Sequence, residues 1–153
     1  MTIEKVQSKQ AEIHLAIERT LAIIKPDAVS RGITADIIAR IHAAGLVIRA
    51  IKSLRLTQVE AEGFYAVHRE RGFFKDLTAF MSSGKIVVLV LEAENAIPRW
   101  RETMGATDPA KAAAGTIRRD FGSSIQNNCT HGSDAAETAS FEIGYFFAGY
   151  ELL

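Results

Sequence analysis

His131 stands within Asn128-Cys129-Thr130-His131-Gly132-Ser133-Asp134, directly ahead of a glycine and two residue types that commonly cap helices. A helix-patterned run follows over residues 135–147. With Ser133 or Asp134 as its cap, the unpaired N–H groups and positive dipole end of that helix lie close to the imidazole, and such an end attracts anions, phosphate above all. A neutral imidazole keeps a lone pair, so His131 is a candidate nucleophile toward phosphorus. The plainer alternative is a structural or solvent-facing histidine beside a cap.

Other residues in the chain suit the same chemistry. Arg99 and Arg101 fall near the end of one helical pattern, Thr107 follows, and Arg118-Arg119 precede the last strand. Arginine forks match phosphate oxygens and threonine hydroxyls add neutral donors, although each arginine taken singly is equally a solvated surface charge. Lys25 ends the first strand, a usual place for a ligand-facing residue, or forms with Pro26-Asp27 only a strand-terminating turn. Phe73-Phe74 offer a stacking surface for a base or plain core packing. Tyr65 is either a hydroxyl donor to phosphate or an ordinary half-buried residue. Glu142 lies in the apolar stretch 139–147; facing inward it needs a partner, which a histidine N–H supplies, and otherwise it points to water.

The familiar alternatives are missing. No Gly-x-x-x-x-Gly-Lys-Ser/Thr and no Gly-x-Gly-x-x-Gly occurs. His14, His42, His68 and His131 have no metal-ligand spacing, and a single cysteine makes a structural zinc site improbable. No carboxylate cluster suggests an all-protein Mg²⁺ cage, so any Mg²⁺ is expected to arrive on a nucleotide's phosphates and keep several waters.

The elements that must position these residues follow from composition and periodicity. A chain of 153 residues, 48% apolar and 24% charged, is expected to form one globular domain. Its 18 basic and 18 acidic residues balance, so no bulk attraction to nucleic acid or an anionic membrane is expected. The apolar run 86–91 is too short to span a bilayer, and residues 1–15 carry Glu4, Lys5, Lys9 and Glu12 without an apolar core. Cys129 alone excludes an internal disulfide and fits a reducing compartment. A cytoplasmic protein is the expectation; Cys129 reads as a small buried hydrophobe whose place near His131 raises the question of oxidation.

Along the chain, a polar extension gives way to a strand over 19–25. Ile33, Ile37, Ile38 and Ile41 recur at helical spacing before Gly45. A strand is predicted over 46–56, with Ile51 and Lys52 breaking its alternation. Thr57-x-x-Glu60 is a capping box opening a helix to about His68. A short helix is predicted over 73–82, a central strand over 85–91, and a helix over 95–104 with Pro98 tolerable only in its first turn. Residues 105–127 read as a long loop, before a short strand at 128–131 and the terminal helix. Stripped of insertions the order is β-α-β-β-α-β: an α+β (α/β) ferredoxin-like sandwich, an antiparallel sheet with helices packed against it.

Taken together, the segments Glu18-Arg19-Thr20, Ile24-Lys25-Pro26-Asp27-Ala28-Val29, Arg31-Gly32, Phe64-Tyr65, Phe73-Phe74, Met81-x-Ser83-Gly84, Met104-Gly105-Ala106-Thr107-Asp108-Pro109, Gly115-Thr116-Ile117-Arg118 and His131-Gly132-Ser133-Asp134 closely resemble nucleoside diphosphate kinase of the bacterial type. They keep the family's order and spacing from about Ala16 to the end, which divides the chain into an extension at 1–15 and a domain at 16–153.

The resemblance implies two-step, ping-pong transfer of the γ-phosphoryl group from a nucleoside triphosphate, mainly ATP, to a nucleoside diphosphate through a phosphohistidine, maintaining NTP and dNTP pools. On that likeness His131 is the nucleophile, and Glu142, helped by Ser133, orients its ring. Lys25, Arg101, Thr107 and Arg118 hold phosphates, and Tyr65 sits near the transferred group. Asn128 and Lys25 bind ribose hydroxyls, and Phe73 stacks on the base. Mg²⁺ bridges phosphate oxygens, with Asp134 contacting it through water. A homo-oligomer, tetramer or hexamer, is implied; nucleic-acid and membrane partners are not. Gly72 stands where proline is frequent, Asp108 where asparagine is usual and Arg119 where a small residue is common. A module that binds nucleotides without chemistry, and a donor that phosphorylates other proteins, are the competing functions.

Overall fold

A computed structural model describes residues 16–153; the extension expected over 1–15 lies outside the described residues. The first strand, β1, is Ile17–Ile24. A one-turn helix, α1 (Pro26–Ser30), follows where a bare turn is expected: Pro26 takes its first position, where a missing N–H costs nothing. The isoleucine pattern becomes α2 (Thr34–Ala43), with Ile37 and Ile41 fully buried. The next strand, β2 (Val47–Leu54), shifts register between Ile48 and Ala50. Exposure still alternates along the strand: Ile51 is half exposed, and Lys52 takes the inner parity with its ammonium donating to the Phe146 carbonyl at 2.7 Å and to Glu151 at 3.0 Å, which is why the apolar pattern breaks there.

The Thr57–Glu60 capping box forms with both reciprocal bonds, at 3.2 and 2.7 Å. The helix it opens, α3 (Gln58–Phe64), ends early, and Ala66–His68 is a 3₁₀ turn. Then come α4 (Phe74–Met81), the central strand β3 (Ile86–Glu94) and α5 (Ala96–Met104), in which Pro98 lies in the first turn. The predicted loop at 105–127 carries a 3₁₀ turn, Pro109–Lys111, and a short helix, α6 (Ile117–Phe121), capped by Thr116. Five residues are too few for periodicity to reveal. The chain closes with β4 (Thr130–Gly132), α7 (Ala136–Phe146) and a 3₁₀ turn at Gly149–Leu152.

The four strands form one sheet in the order β2-β3-β1-β4, with all three pairings antiparallel. This is the expected ferredoxin-like arrangement, with α3 and α4 inserted before β3. Leu89 and Leu91 face a layer with Ile37, Ile41, Trp100 and Ile117; Val88 and Val90 face Phe64, Met81 and Phe147. Both faces of β1 and β3 are covered, which is why their sequences read as continuous apolar runs. No helix among the described residues is long and apolar enough to cross a membrane.

Candidate active site

The short strand β4 pairs with β1 at only three positions, one of which sets His131 opposite Ile23. Ser133 extends that attachment: its N–H donates to the Leu21 carbonyl at 3.2 Å, and its Oγ accepts from the Leu21 N–H at 3.1 Å. Behind the strand, the indole N–H of Trp100 donates to the His131 carbonyl at 3.1 Å. Gly132 is packed so closely that a Cβ there would meet Trp100 Cδ1 and Met104 Cε at 2.6 Å. The backbone carrying His131 is thus clamped on both sides.

Its imidazole is fixed from the ring side. Nε2 is hydrogen bonded to Glu142 Oε1, and Glu142 is buried on α7. No hydrogen bond among the described residues engages Nδ1. The rings of Phe64 and Tyr65 meet the imidazole edge-on, with centroids 5.5 and 6.1 Å away. Burial first, and then the Glu142 carboxylate, raise the Tyr65 pKa, so its hydroxyl remains a donor.

His131 opens onto a cavity of about 750 Å³. Lys25, Tyr65, Phe73, Arg101 and Thr107 line it, together with Arg118, Asn128 and Asp134. Glu142 and Ser133 lie behind the wall, and Arg99, Arg119 and Phe74, also singled out from the sequence, do not line the cavity; Arg99 donates instead to the Ala44 carbonyl at 3.4 Å. Lys25 is buried at the end of β1 and donates to the Gln126 carbonyl at 2.7 Å and Asn128 Oδ1 at 2.9 Å. Burial is the largest influence on it and lowers its pKa to about 8, against an opposing pull from Asp27. Asn128 in turn donates to the Thr107 carbonyl at 3.0 Å.

Arg118 donates through Nη1 to the Gly105 carbonyl at 3.0 Å and through Nη2 to the Thr130 carbonyl at 2.9 Å, leaving its buried Nε without a partner. Burial, then the like charge of Arg101, lowers its pKa to about 10, so it stays cationic at neutral pH. Gly105, at φ +85, turns the chain out of α5 so close to Thr116 that a side chain could not follow.

One expectation from the sequence is corrected. Neither Ser133 nor Asp134 caps the last helix. The helix begins beyond Ala135, and Thr138 Oγ accepts from the N–H groups of Asp134 and Ala135 at 3.2 and 3.0 Å. Those two donors are therefore occupied, and the cations at the cavity come from side chains. The hydrogen bonds of Ser133 go to Leu21, so its connection to the imidazole runs through the strand it anchors. Cys129 lies fully buried in the core with φ +73, and burial lifts its thiol pKa to about 11. This is the small buried hydrophobe expected from the sequence, with its thiol held protonated.

Some of the cavity wall escaped the sequence. His68 and the exposed Ile125 line it, the first with its ring 5.6 Å from that of Phe73. Lys111 adds a cation there. A lone isoleucine in a polar loop carries no pattern, whereas the single tryptophan, Trp100, was a signal available for the clamp behind His131. The unusual Asp108 and Arg119 both brace the 109–111 turn, accepting from the Ala110 N–H at 3.0 Å and donating to the Ala110 carbonyl at 3.1 Å. Gly72 has open space around it.

Among the described residues, no group of three or more His, Cys, Asp or Glu gathers to hold a metal ion. Asp134, 77% exposed at the cavity, is one hard oxygen donor, suited to Mg²⁺ that brings its own phosphates and waters.

The family model for nucleoside diphosphate kinase matches residues 18–152. The chain is 60% identical over 137 residues to the nucleoside diphosphate kinase of Geotalea uraniireducens, covering 90% of this chain and 100% of that protein. It is 59% identical to that of an Anaeromyxobacter species, over 87% of this chain and 91% of the relative. Among solved structures, the Aquifex aeolicus nucleoside diphosphate kinase superimposes with a TM-score of 0.88 at 46% identity, over 90% of this chain and all of that one. The Halobacterium salinarum enzyme in complex with CDP gives 0.86 at 38% identity, over 90% and 92%.

Proposed function

The chain belongs to the nucleoside diphosphate kinase family, transferring the γ-phosphoryl group of a nucleoside triphosphate to a nucleoside diphosphate, and from that premise we propose how its residues divide the work. The observation that carries the assignment is the bond between His131 Nε2 and the buried Glu142. A carboxylate there favours the tautomer with the proton on Nε2, which leaves the Nδ1 lone pair free to attack. Nδ1 attacks the γ-phosphorus, and the bond to the β,γ-bridging oxygen breaks with its electron pair going to the departing diphosphate. The ring becomes a phosphorylated imidazolium, whose charge Glu142 offsets while the Nε2 proton stays in place. A β-phosphate oxygen of the second nucleotide then attacks the same phosphorus and returns the electron pair to Nδ1.

Arg118, with an unpartnered Nε, and Arg101 supply the charge that stabilises the transferring group; Thr107 and Tyr65 add hydroxyls. Lys25 and Asn128, already bonded to each other, suit phosphate and ribose oxygens. Phe73 and Ile125, both more than half exposed on the cavity, offer apolar surface to a base without edge hydrogen bonds, which supports tolerance of any nucleobase. Mg²⁺ on the phosphates supplies charge neutralisation, and Asp134 would face it through water. Ser133 positions the strand beneath His131.

Intact mass tests the division of labour: brief incubation with ATP and Mg²⁺ should add one acid-labile phosphoryl group, lost on adding GDP. An adduct that GDP fails to remove would favour a protein-directed donor. No adduct despite ATP binding would reduce the chain to a binding module. A homo-oligomer is supported by the outer edge of β2, where Val47 and Ile51 are 56% and 50% exposed on a terminal strand. A cytoplasmic location fits the single free cysteine.

A further inference from the structure

Cys129 has φ +73, and the Thr130 N–H donates to the Asn128 carbonyl at 2.9 Å, closing a γ-turn on Cys129 immediately before the strand that carries His131. Such a turn is rare and strained for a residue with a Cβ, and it persists only where its surroundings hold it. In extended chain Asn128 and His131, three positions apart, would face opposite sides. Here both line one cavity, so the turn is what brings them together.

The turn is held by the segment Lys25-Pro26-Asp27. The Lys25 N–H donates to the Cys129 carbonyl at 2.8 Å, and the Cys129 N–H donates to Asp27 Oδ2 at 3.1 Å. The first bond is main chain and survives a change of side chain; the second depends on Asp27. Among the described residues it is the carboxylate's one hydrogen bond, since the buried Oδ1 has no partner. Asp27 itself does not line the cavity. We propose that Asp27 is a positioning residue: it keeps Cys129 in the strained turn and thereby directs Asn128 and His131 into the same site. This role rests on the reading of His131 as nucleophile and Asn128 as a nucleotide ligand.

The test is a suppressor experiment. The rate of phosphoryl-adduct formation with ATP and Mg²⁺, per folded molecule, and ADP affinity by calorimetry are measured for wild type, Asp27→Ala, Cys129→Gly and the two combined. Asp27→Ala should slow adduct formation by about tenfold or more, within what a displacement of about 1 Å costs, and weaken ADP about two- to fivefold. Glycine adopts this φ unaided, so the double variant should return to within about threefold of Cys129→Gly alone on both readouts. Cys129→Ala removes the thiol, keeps the Cβ and should rescue neither. Asp27→Asn keeps an acceptor oxygen and should lose much less than Asp27→Ala. Equal rescue by Cys129→Gly and Cys129→Ala, rescue by neither, or no loss in Asp27→Ala would overturn the role. A loss that Asp27→Asn shares, and that shrinks as the pH falls, would mean that Asp27 acts through the charge of Lys25 and would also overturn it. If Asp27→Ala alone is too unstable to purify, the glycine and alanine double variants should still differ in yield and in rate. A wild type that forms no adduct would remove the reading of His131 and this role with it; every other outcome leaves that reading standing.

Discussion

The two ends of the cavity are built differently. Around His131, each group is buried or half-buried and hydrogen bonded to another element: Glu142 to the imidazole, Ser133 to β1, Trp100 to the strand backbone, Arg118 to two carbonyls. At the rim, Phe73, Ile125, Arg101 and Asp134 are exposed, and among the described residues their side chains are tied to one another by a single ion pair. Phosphoryl transfer needs in-line placement of reacting atoms, and small displacements are expensive, so rigidity belongs at the inner end. A nucleoside that varies from turnover to turnover is better met by an apolar surface that reads no base edge. Affinity and chemistry are therefore separable by position, and the following changes should separate them.

The largest effect belongs at the inner end. His131→Ala should lower turnover by at least about 10⁴-fold and abolish the ATP-dependent phosphoryl adduct, while ADP affinity by calorimetry stays within about threefold of wild type. Turnover near wild type would displace the nucleophile from His131. Next, Arg118→Ala should cost about 10²–10³-fold in kcat with a smaller change in KM, the pattern of a charge used chiefly in the transition state. Gly132→Ala brings a methyl group against Trp100 and Met104, and should destabilise the protein by about 1–3 kcal/mol in denaturant melts, loosening the inner clamp without removing any functional group.

Lys25 makes the comparison pH-dependent. Its pKa of about 8 means that the unliganded site sheds a positive charge as pH rises through that value, so ADP affinity should fall between pH 7 and 9.5, and Lys25→Met should flatten the profile. Stability runs the other way. The unfolded chain keeps the lysine proton up to its ordinary 10.5, so the cost of burying the charge is present below about 8 and is relieved between the two values. Unliganded wild type should therefore gain stability relative to Lys25→Met over that window in melts run across pH. The smallest change belongs at the rim: Phe73→Ala should raise KM roughly tenfold, as loss of one stacking contact does, and leave kcat nearly intact. A large drop in kcat would erase the distinction between the two ends.

Much of this was legible before any fold was known. Because β1 and β3 are covered on both faces, their apolar runs marked both as strands and β3 as a central one, and Thr57-x-x-Glu60 announced its helix through local bonds alone. The helices α1 and α6 were not legible, since five residues carry less than two turns of periodicity. The cap assigned to Ser133 or Asp134 failed for a tertiary reason. Ser133 is claimed by Leu21 on a strand over a hundred positions away, and Thr138 reaches back to take the donors instead.

What the sequence determined by itself was the residue set: a histidine in an Asn-x-x-His-Gly-Ser-Asp frame, a lysine ending the first strand, arginines flanking a long loop, and the order of strands and helices. Side-chain type and local spacing suffice for that, because hydrophobic period and phosphate-binding chemistry are properties of neighbours in the chain. Only the tertiary structure decided which imidazole nitrogen is engaged, that Lys25 is buried against Asn128 with a lowered pKa, and that Arg101 is paired with Asp134 while Arg118 keeps a free Nε. Each of those depends on groups separated by eleven or more positions being brought together, and for Glu142, Lys25 and Arg118 it is burial and partner geometry, rather than residue identity, that set charge and reactivity.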